Sequence, residues 1–254
     1  MAMLNKRKDK LFYFLLYLFF ALVCACFIIP LLVVISASFT SENELLSGGF
    51  SLFPKEFTTA AYQSAFKNSE KMICAYLVTI AESFGGTFLT CVVCGMIGYA
   101  LSRSSFRFKK PITWVVMFTM LFSAGMIPTY IVYSKYYHIS NSFWIYILPG
   151  ITGGAWNTMV FRTFFRTLPE SLFESARLDG ANELTIFFKI VIPLSTPVFA
   201  SLGFMMLVGK WNDYTTSMIY IRNENLYTLQ YLLQKIMSES EFLKSMAQAG
   251  MVGI

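Results

Sequence analysis

Groups able to do bond chemistry are scarce in this chain, and their placement argues against catalysis. Cys91 and Cys94 stand in a C-x-x-C spacing that could chelate a metal or cycle as a disulfide. No second Cys pair or His pair accompanies them among the five cysteines and the single histidine. Their simpler role is that of small apolar side chains packed in helices. His138 sits in a short polar turn, so neither a zinc site nor a Ser-His-Asp or Cys-His arrangement can be assembled. No Gly-rich phosphate loop of the GxxxxGK[ST] type occurs. The chain is not expected to hydrolyse ATP or any other bond, and it has no catalytic or metal-binding residues to name. If it moves something uphill, the energy comes from elsewhere.

What remains are polar residues inside apolar surroundings. Glu82, Asn157, Lys210 and Asp213 all fall within strongly hydrophobic runs. Intramembrane charges usually face a cavity or each other. Lys210 and Asp213 are three residues apart, so on a continuous helix they share a face and can pair. Trp211 and Tyr214 are spaced likewise and could stack on a ring-shaped ligand. Asn212 offers both a donor and an acceptor. Glu82 reads equally as a pore-lining group or as a hydrogen-bond partner for a neighbouring helix, and Asn157 could point either way. Trp211, Asn212, Tyr214, Glu82 and Asn157 are therefore the candidate pathway residues. Trp211 and Tyr214 have packing as the competing reading.

The elements that must position these residues are spans. Of 254 residues, 56% are hydrophobic and 13% charged, and the mean hydropathy is +0.58. Soluble domains carry about 25% charged residues, so lipid is the expected solvent. A spanning helix needs about 20 mostly apolar residues, and five segments qualify: 11–35, 72–101, 111–133, 143–161 and 194–221. The first is too long for a signal peptide and lacks a small-residue cleavage site, so it is read as retained. Gly85-Gly86 and Gly153-Gly154 suit close helix packing.

The net charge of +6 could suggest nucleic acid, but the bases lie at the ends of apolar runs. Lys6, Arg7, Lys8 and Lys10, then Arg103, Arg107, Lys109 and Lys110, then Arg162, Arg166, Arg177 and Lys189 make twelve of the twenty Lys and Arg. All twelve fall on one side if five spans alternate, and that side is expected to be the cytoplasm. Residues 1–10 are then a cytoplasmic N-terminus and 11–221 a transmembrane domain. Residues 222–254 form an extracytoplasmic tail, in which Leu226, Leu229, Leu232, Leu233 and Ile236 predict a short amphipathic helix.

One long polar segment interrupts this pattern on the basic side, residues 169–193. Pro169 opens a helix with Glu170 and Glu174 near its start, where acids suit the macrodipole. Gly180 after Asp179 is a usual helix stop. Asn182 or a neighbour begins a second helix that runs to Pro193. The expected shape is a protruding elbow, and its apolar residues Leu172, Phe173, Ala176, Leu178 and Phe187 must be buried against this protein or another.

This segment resembles the EAA loop of importer-type ABC permeases, roughly EAAxxxG followed some nine residues later by IxLP. Glu174, Ser175 and Ala176 hold the opening positions, Gly180 the glycine, and Ile192-Pro193 the close. Ser175 replaces the second Ala, and Val-Ile-Pro stands where the family has Ile-x-Leu-Pro. The string Glu174-x-Ala176-x-x-Asp179-Gly180-Ala181 is similar to the carbohydrate-uptake branch. So are Tyr99-Ala100-Leu101-Ser102-Arg103, Ile127-Pro128-Thr129-Tyr130, Asn141-Ser142-Phe143-Trp144, Leu148-Pro149-Gly150 and Trp211-Asn212-Asp213-Tyr214, which match permeases of the maltose-transporter G-subunit type. Arg162-Thr163-Phe164-Phe165 resembles a Gram-positive subgroup whose cargo is oligosaccharide or polysaccharide fragments. The likeness runs from about residue 11 to 235.

The resemblance implies an all-α polytopic fold, the type I ABC importer permease bundle, in the bacterial plasma membrane. That family has six spans, so the expectation is five spans present with the tail leading to a missing sixth. It implies a coupling elbow docked in a groove of a cytoplasmic ATPase dimer, which itself holds ATP and Mg; this chain would bind no cofactor. Glu174, Asp179 and Gly180 would shape and charge that contact, and Leu172, Phe173, Ala176 and Leu178 would fill the groove. Further implied partners are a second homologous permease, an extracytoplasmic solute-binding protein and membrane lipid, with no nucleic acid. The alternatives are a permease of the same kind for another solute and an ion-driven secondary transporter, which would need no such elbow.

Overall fold

Long apolar runs with few breakers form helix because lipid offers no partner for free backbone groups. The computed structural model describes residues 6–41, 44, 49, 51, 53, 56–67, 69–152 and 154–248. Among them the ordered elements are helical, apart from one isolated antiparallel bridge between Thr40 and Phe57. The chain divides into two compact units, residues 1–69 and 70–254.

In the first unit, α1 (Lys6–Ser38) carries a window of mean hydropathy 3.2 with none of it buried. A helix of that length and hydropathy suits the apolar core of a bilayer. A small cap follows α1. Phe39 stacks on Phe57 at 4.9 Å and lies against Tyr62 of α2 (Ala60–Lys67), whose hydroxyl shares a 3.0 Å hydrogen bond with Ser38 Oγ.

The second unit is organised on α3 (Glu70–Ser102), 33 residues long and half buried. At 1.5 Å per residue such a helix is roughly 50 Å long, enough to cross a bilayer with its headgroups. α4 (Lys109–Leu121) and α5 (Met126–Tyr136) follow, then a single tight turn at Phe143–Tyr146, α6 (Leu148–Thr152) and α7 (Ala155–Phe165). The elbow comprises α8 (Glu170–Leu178) and α9 (Glu183–Leu194), and it leads into α10 (Thr196–Trp211) and α11 (Thr215–Tyr220). α12 (Leu229–Gln248) is longer than the short tail helix expected from the leucine spacing.

Spans three to five are broken where their composition suggested unbroken helices. α4 and α5 meet at 116° across Phe122–Gly125, where Gly125 takes φ +82°, a conformation that favours glycine. The fourth stretch divides between α6 and α7 around Gly154, close after Pro149-Gly150. The fifth breaks after Trp211, where α10 ends and α11 begins at Thr215, while the 84° turn between α9 and α10 falls at the expected junction of elbow and span. Residues 1–5 and 249–254, together with Gly153, lie outside the described residues.

The core of this unit lies where α3, α7, the elbow and α10 converge. Phe161, Phe165, Phe173, Phe187, Ile186 and Val191 are fully buried there. α3 and α7 approach closely. A Cβ on Gly98 would sit 2.8 Å from the Cβ of Phe161 and 3.0 Å from backbone atoms of Thr158 and Arg162. Only glycine permits that separation. Gly154 presses on the sulfur of Cys94 in the same seam, while Gly85 has open space around it. Of the glycine pairs expected to mark packing, Gly86 and Gly154 do so and Gly85 does not.

Candidate functional site

Local sequence chemistry builds the elbow. Pro169 caps α8, whose nine residues end at Leu178. Gly180 then takes φ +83°. Ala181 N–H donates to Ala176 O at 2.9 Å and Gly180 N–H to Arg177 O at 3.0 Å. Those two bonds are the Schellman closure, which requires a left-handed residue at the glycine position. Asn182 Oδ1 then accepts from Thr185 N at 2.8 Å and starts α9, as the sequence indicated.

The elbow has an inner and an outer face. Phe173 is 0% exposed and Ala176 8%, both set in the core, whereas Leu178 is 88% exposed and Leu172 41%. Glu174, Ser175, Asp179 and Gly180 also face outward. The sequence reading placed Phe173 and Ala176 in a partner's groove. The structure buries them in this chain instead, because helical spacing puts residues 173 and 176 on the stripe toward α3 and Phe187. The outer surface is left to Glu174, Leu178, Asp179 and Leu172.

Beneath the elbow, the end of α3 holds it from inside. Arg103 is 3% exposed. It donates to Phe165 O at 2.6 Å and to Glu170 Oε2 at 3.1 Å, and its guanidinium lies 3.9 Å over the Phe173 ring. Burial pushes its pKa down from the ordinary value, and the Glu170 carboxylate opposes that shift. Tyr99 donates to Glu183 Oε2 at 2.6 Å, and Arg177 Nε donates to Glu183 Oε1 at 3.0 Å. In the sequence Tyr99 stood out only as part of a similar string, and Arg103 as that and as one of the clustered bases. The missed signal was their i, i+4 spacing at a span terminus.

The candidate pathway residues do not form one surface. α10 stops at Trp211, with Asn212 as its C-cap, so Trp211 and Tyr214 share no helical face. Asn212 Nδ2 donates back to Val208 O at 2.8 Å. Asp213 Oδ1 accepts from Thr215 N at 2.9 Å and Thr216 N at 3.1 Å, which caps α11. The expected Lys210–Asp213 pair is replaced by that cap. Lys210 Nζ instead donates to Tyr146 O at 2.7 Å, and it lies where a Cβ on Gly86 would be 2.9 Å away. Asn157 joins α7 to α10 through a 3.5 Å contact from Nδ2 to Met206 Sδ.

Glu82 lies on a wide, π-helical stretch of α3, Ala81–Gly86, and is 1% exposed. Such stretches are frequent at functional sites. Its Oε2 finds no hydrogen-bond partner among the described residues.

The far end of α3 is tied to the segment after α11. Lys71 bonds Glu224, whose carboxyl is held below its usual range by that hydrogen bond. Thr79 Oγ1 accepts from Leu229 N at 2.8 Å. Asn141, at φ +57°, accepts from Arg222 N and Asn223 N at 3.0 and 2.8 Å. Tyr146 OH bonds Ser217 and Leu226 O.

Comparison with known proteins agrees with this geometry. The polygalacturonan/rhamnogalacturonan transport system permease protein YtcP of Bacillus subtilis is 38% identical over 232 residues, 90% of this chain and 79% of that one. The maltodextrin transport system permease protein MalD of Streptococcus pneumoniae is 28% identical, covering 94% and 85%. A crystal structure of a bacterial ABC transporter involved in the import of the acidic polysaccharide alginate superposes with a TM-score of 0.83 at 26% identity, over 97% of this chain and 89% of that one. The family model for the inner membrane component of binding-protein-dependent transport systems matches residues 1–240. The helical bundle with its elbow is that of an ABC importer permease, as its relatives are transport permeases and not enzymes, and the chain belongs to the family of binding-protein-dependent transport system inner membrane components.

Proposed function

We propose that this chain forms half of the translocation pore of an ATP-driven importer for oligosaccharide or polysaccharide fragments. A second, homologous permease would complete the pore, and a solute-binding protein would deliver the cargo. A dimeric ATPase carrying ATP and Mg would dock on the elbow from the cytoplasm. The observation that carries the ATPase contact is Leu178, a large apolar side chain 88% exposed at the tip of a short polar helix. Scattered exposed apolar residues are ordinary. Here, however, the residue stands beside an outward carboxylate, Glu174, on an element rooted by Phe173. Leu178 would enter an apolar groove while Glu174 makes charge-assisted hydrogen bonds to a basic residue at its rim.

The sugar assignment rests on the relatives, which carry polygalacturonan, rhamnogalacturonan and maltodextrin in their names. Orientation rests on the clustered bases, which put the elbow end of α3 inside and the Lys71–Glu224 end outside. The test is uptake by the reconstituted complex with a panel of pectic, arabinan and glucan oligosaccharides. The expected result is saturable, ATP-dependent uptake of at least one of them. ATP-dependent uptake of a non-sugar solute alone would assign a different cargo, and uptake driven by an ion gradient without ATP would overturn the importer.

A further inference from the structure

The elbow has to move something in the membrane when an ATPase moves it, and the structure identifies what it is fastened to. Its two helices are held to one turn of α3. Tyr99 lies in the last turn of α3, and Arg103, four residues on, is the residue that ends it. Arg103 reaches the start of α8 through Glu170 and the end of α7 through Phe165 O, and it covers the Phe173 ring. Tyr99 reaches the start of α9 through Glu183. Arg177 of α8 shares that carboxylate, so Glu183 ties both elbow helices to each other and to α3.

These contacts differ in kind from the Phe packing around them. A packed ring can slide or tilt at little cost, whereas a hydrogen bond from a buried donor has a fixed length and direction. Arg103 at 3% and Tyr99 at 5% exposure are themselves buried, while their carboxylate partners Glu170 and Glu183 reach the surface. Beside them lies a cavity of about 410 Å³, lined by Met96, Phe106, Arg177 and Phe187 among others. Apolar packing is therefore incomplete on that side of the seam, and the polar contacts carry the attachment there. The same α3 bears Glu82 farther along, and Gly86 against Lys210 of α10. Residues 82 and 99 are 17 apart, roughly 25 Å of continuous helix.

We propose that Tyr99 and Arg103, acting through Glu183 and Glu170, are the positioning residues that make α3 the rod through which elbow movement reaches the middle of the membrane. The proposal rests on the elbow being the ATPase-docking element.

The experiment uses the assembled transporter in lipid nanodiscs or proteoliposomes. It reads ATPase-subunit binding, ATP turnover, and solute taken up per ATP hydrolysed. Tyr99→Phe removes only the hydroxyl, and Arg103→Lys keeps the charge but loses the forked geometry. Both are expected to bind the ATPase with wild-type affinity while uptake per ATP falls, roughly tenfold. Glu183→Gln, combined with Tyr99→Phe, is expected to be no worse than the more severe single variant, since both break the same contact. A role confined to folding would lower yield and leave the uptake-to-ATP ratio of the surviving complexes unchanged, and that result overturns the proposal. Wild-type uptake per ATP in both Tyr99→Phe and Arg103→Lys would overturn it equally. Leu178→Ala separates the underlying reading. If that variant leaves ATPase binding intact, the docking surface is wrong, whatever the ratio measured for Tyr99→Phe.

Discussion

Replacing Leu178 with alanine isolates the docking surface from the fold. Leu178 is 88% exposed, so truncating it removes almost no contact within the chain. If the side chain is buried in an ATPase groove, the variant forfeits the carbons beyond Cβ. At about 0.8 kcal/mol per buried CH₂ the loss is about 2 kcal/mol. Since 1.4 kcal/mol is tenfold, the dissociation constant for the ATPase should rise about 30-fold. Phe173→Ala is the counterpart. Phe173 is 0% exposed, and emptying such a site costs about 3–5 kcal/mol of fold stability. The assay pairs titration of purified ATPase subunit against permease in nanodiscs with a thermal melt of the permease alone. Leu178→Ala should weaken binding with an unchanged melt, and Phe173→Ala should lower the melt. Wild-type binding by Leu178→Ala would refute the docking argument. An unshifted melt in Phe173→Ala would refute the assignment of the inner face.

Three further outcomes follow from specific contacts. Gly98→Ala should lower the melting temperature, because its Cβ would meet backbone atoms at 3.0 Å and overpacking costs about 1–3 kcal/mol; an unchanged melt would count against the tight α3–α7 seam. Lys210→Met should lower the melting temperature, because Tyr146 O would lose its 2.7 Å donor, a loss of about 1–3 kcal/mol; an unchanged melt would argue against that bond. Trp211→Ala should slow uptake several-fold with assembly intact if the ring stacks on cargo, a contact of about 1 kcal/mol, whereas lost assembly would make it a packing residue.

The elbow was readable in the sequence because its signals are local. A proline at the helix start, a glycine at the stop and an asparagine at the restart each act through their own backbone, and Pro169, Gly180 and Asn182 take those positions. The division of its apolar residues was not readable. Periodicity puts Leu172, Phe173 and Ala176 on neighbouring stripes, but only the location of α3 and Phe187 decides which stripe is inside. The breaks in spans three to five escaped for a related reason. Hydropathy registers the solvent of a segment and not the direction of its axis, so a 116° bend at Gly125 leaves the profile apolar throughout. At residues 210–214 the pairing of Lys210 with Asp213 assumed a continuous helix. Asp213 had a nearer use, accepting backbone N–H groups two and three residues on, and that is the ordinary competition between local capping and longer contacts.

The two ends of α3 and its middle are built differently, and the difference bears on transport. At the elbow end, Arg103 spends its donors on Ser102, Phe165 O and Glu170. At the other end, Lys71 and Thr79 are tied to Glu224 and Leu229. Between them Ser83 Oγ, Thr87 Oγ1, Thr90 Oγ1 and Glu82 Oε2 are buried without a hydrogen-bond partner among the described residues. Each unsatisfied buried oxygen costs about 1–3 kcal/mol in an apolar setting. Leaving this arrangement therefore costs least in the middle, because few polar contacts are lost there and new ones can form. Movement at the elbow end must break the buried bond of Arg103 to Phe165 O, and at the other end the buried bond of Thr79 to Leu229. A helix stiffly held at both ends and loosely bonded at its centre transmits a push along its length while letting the central packing against α7 and α10 rearrange.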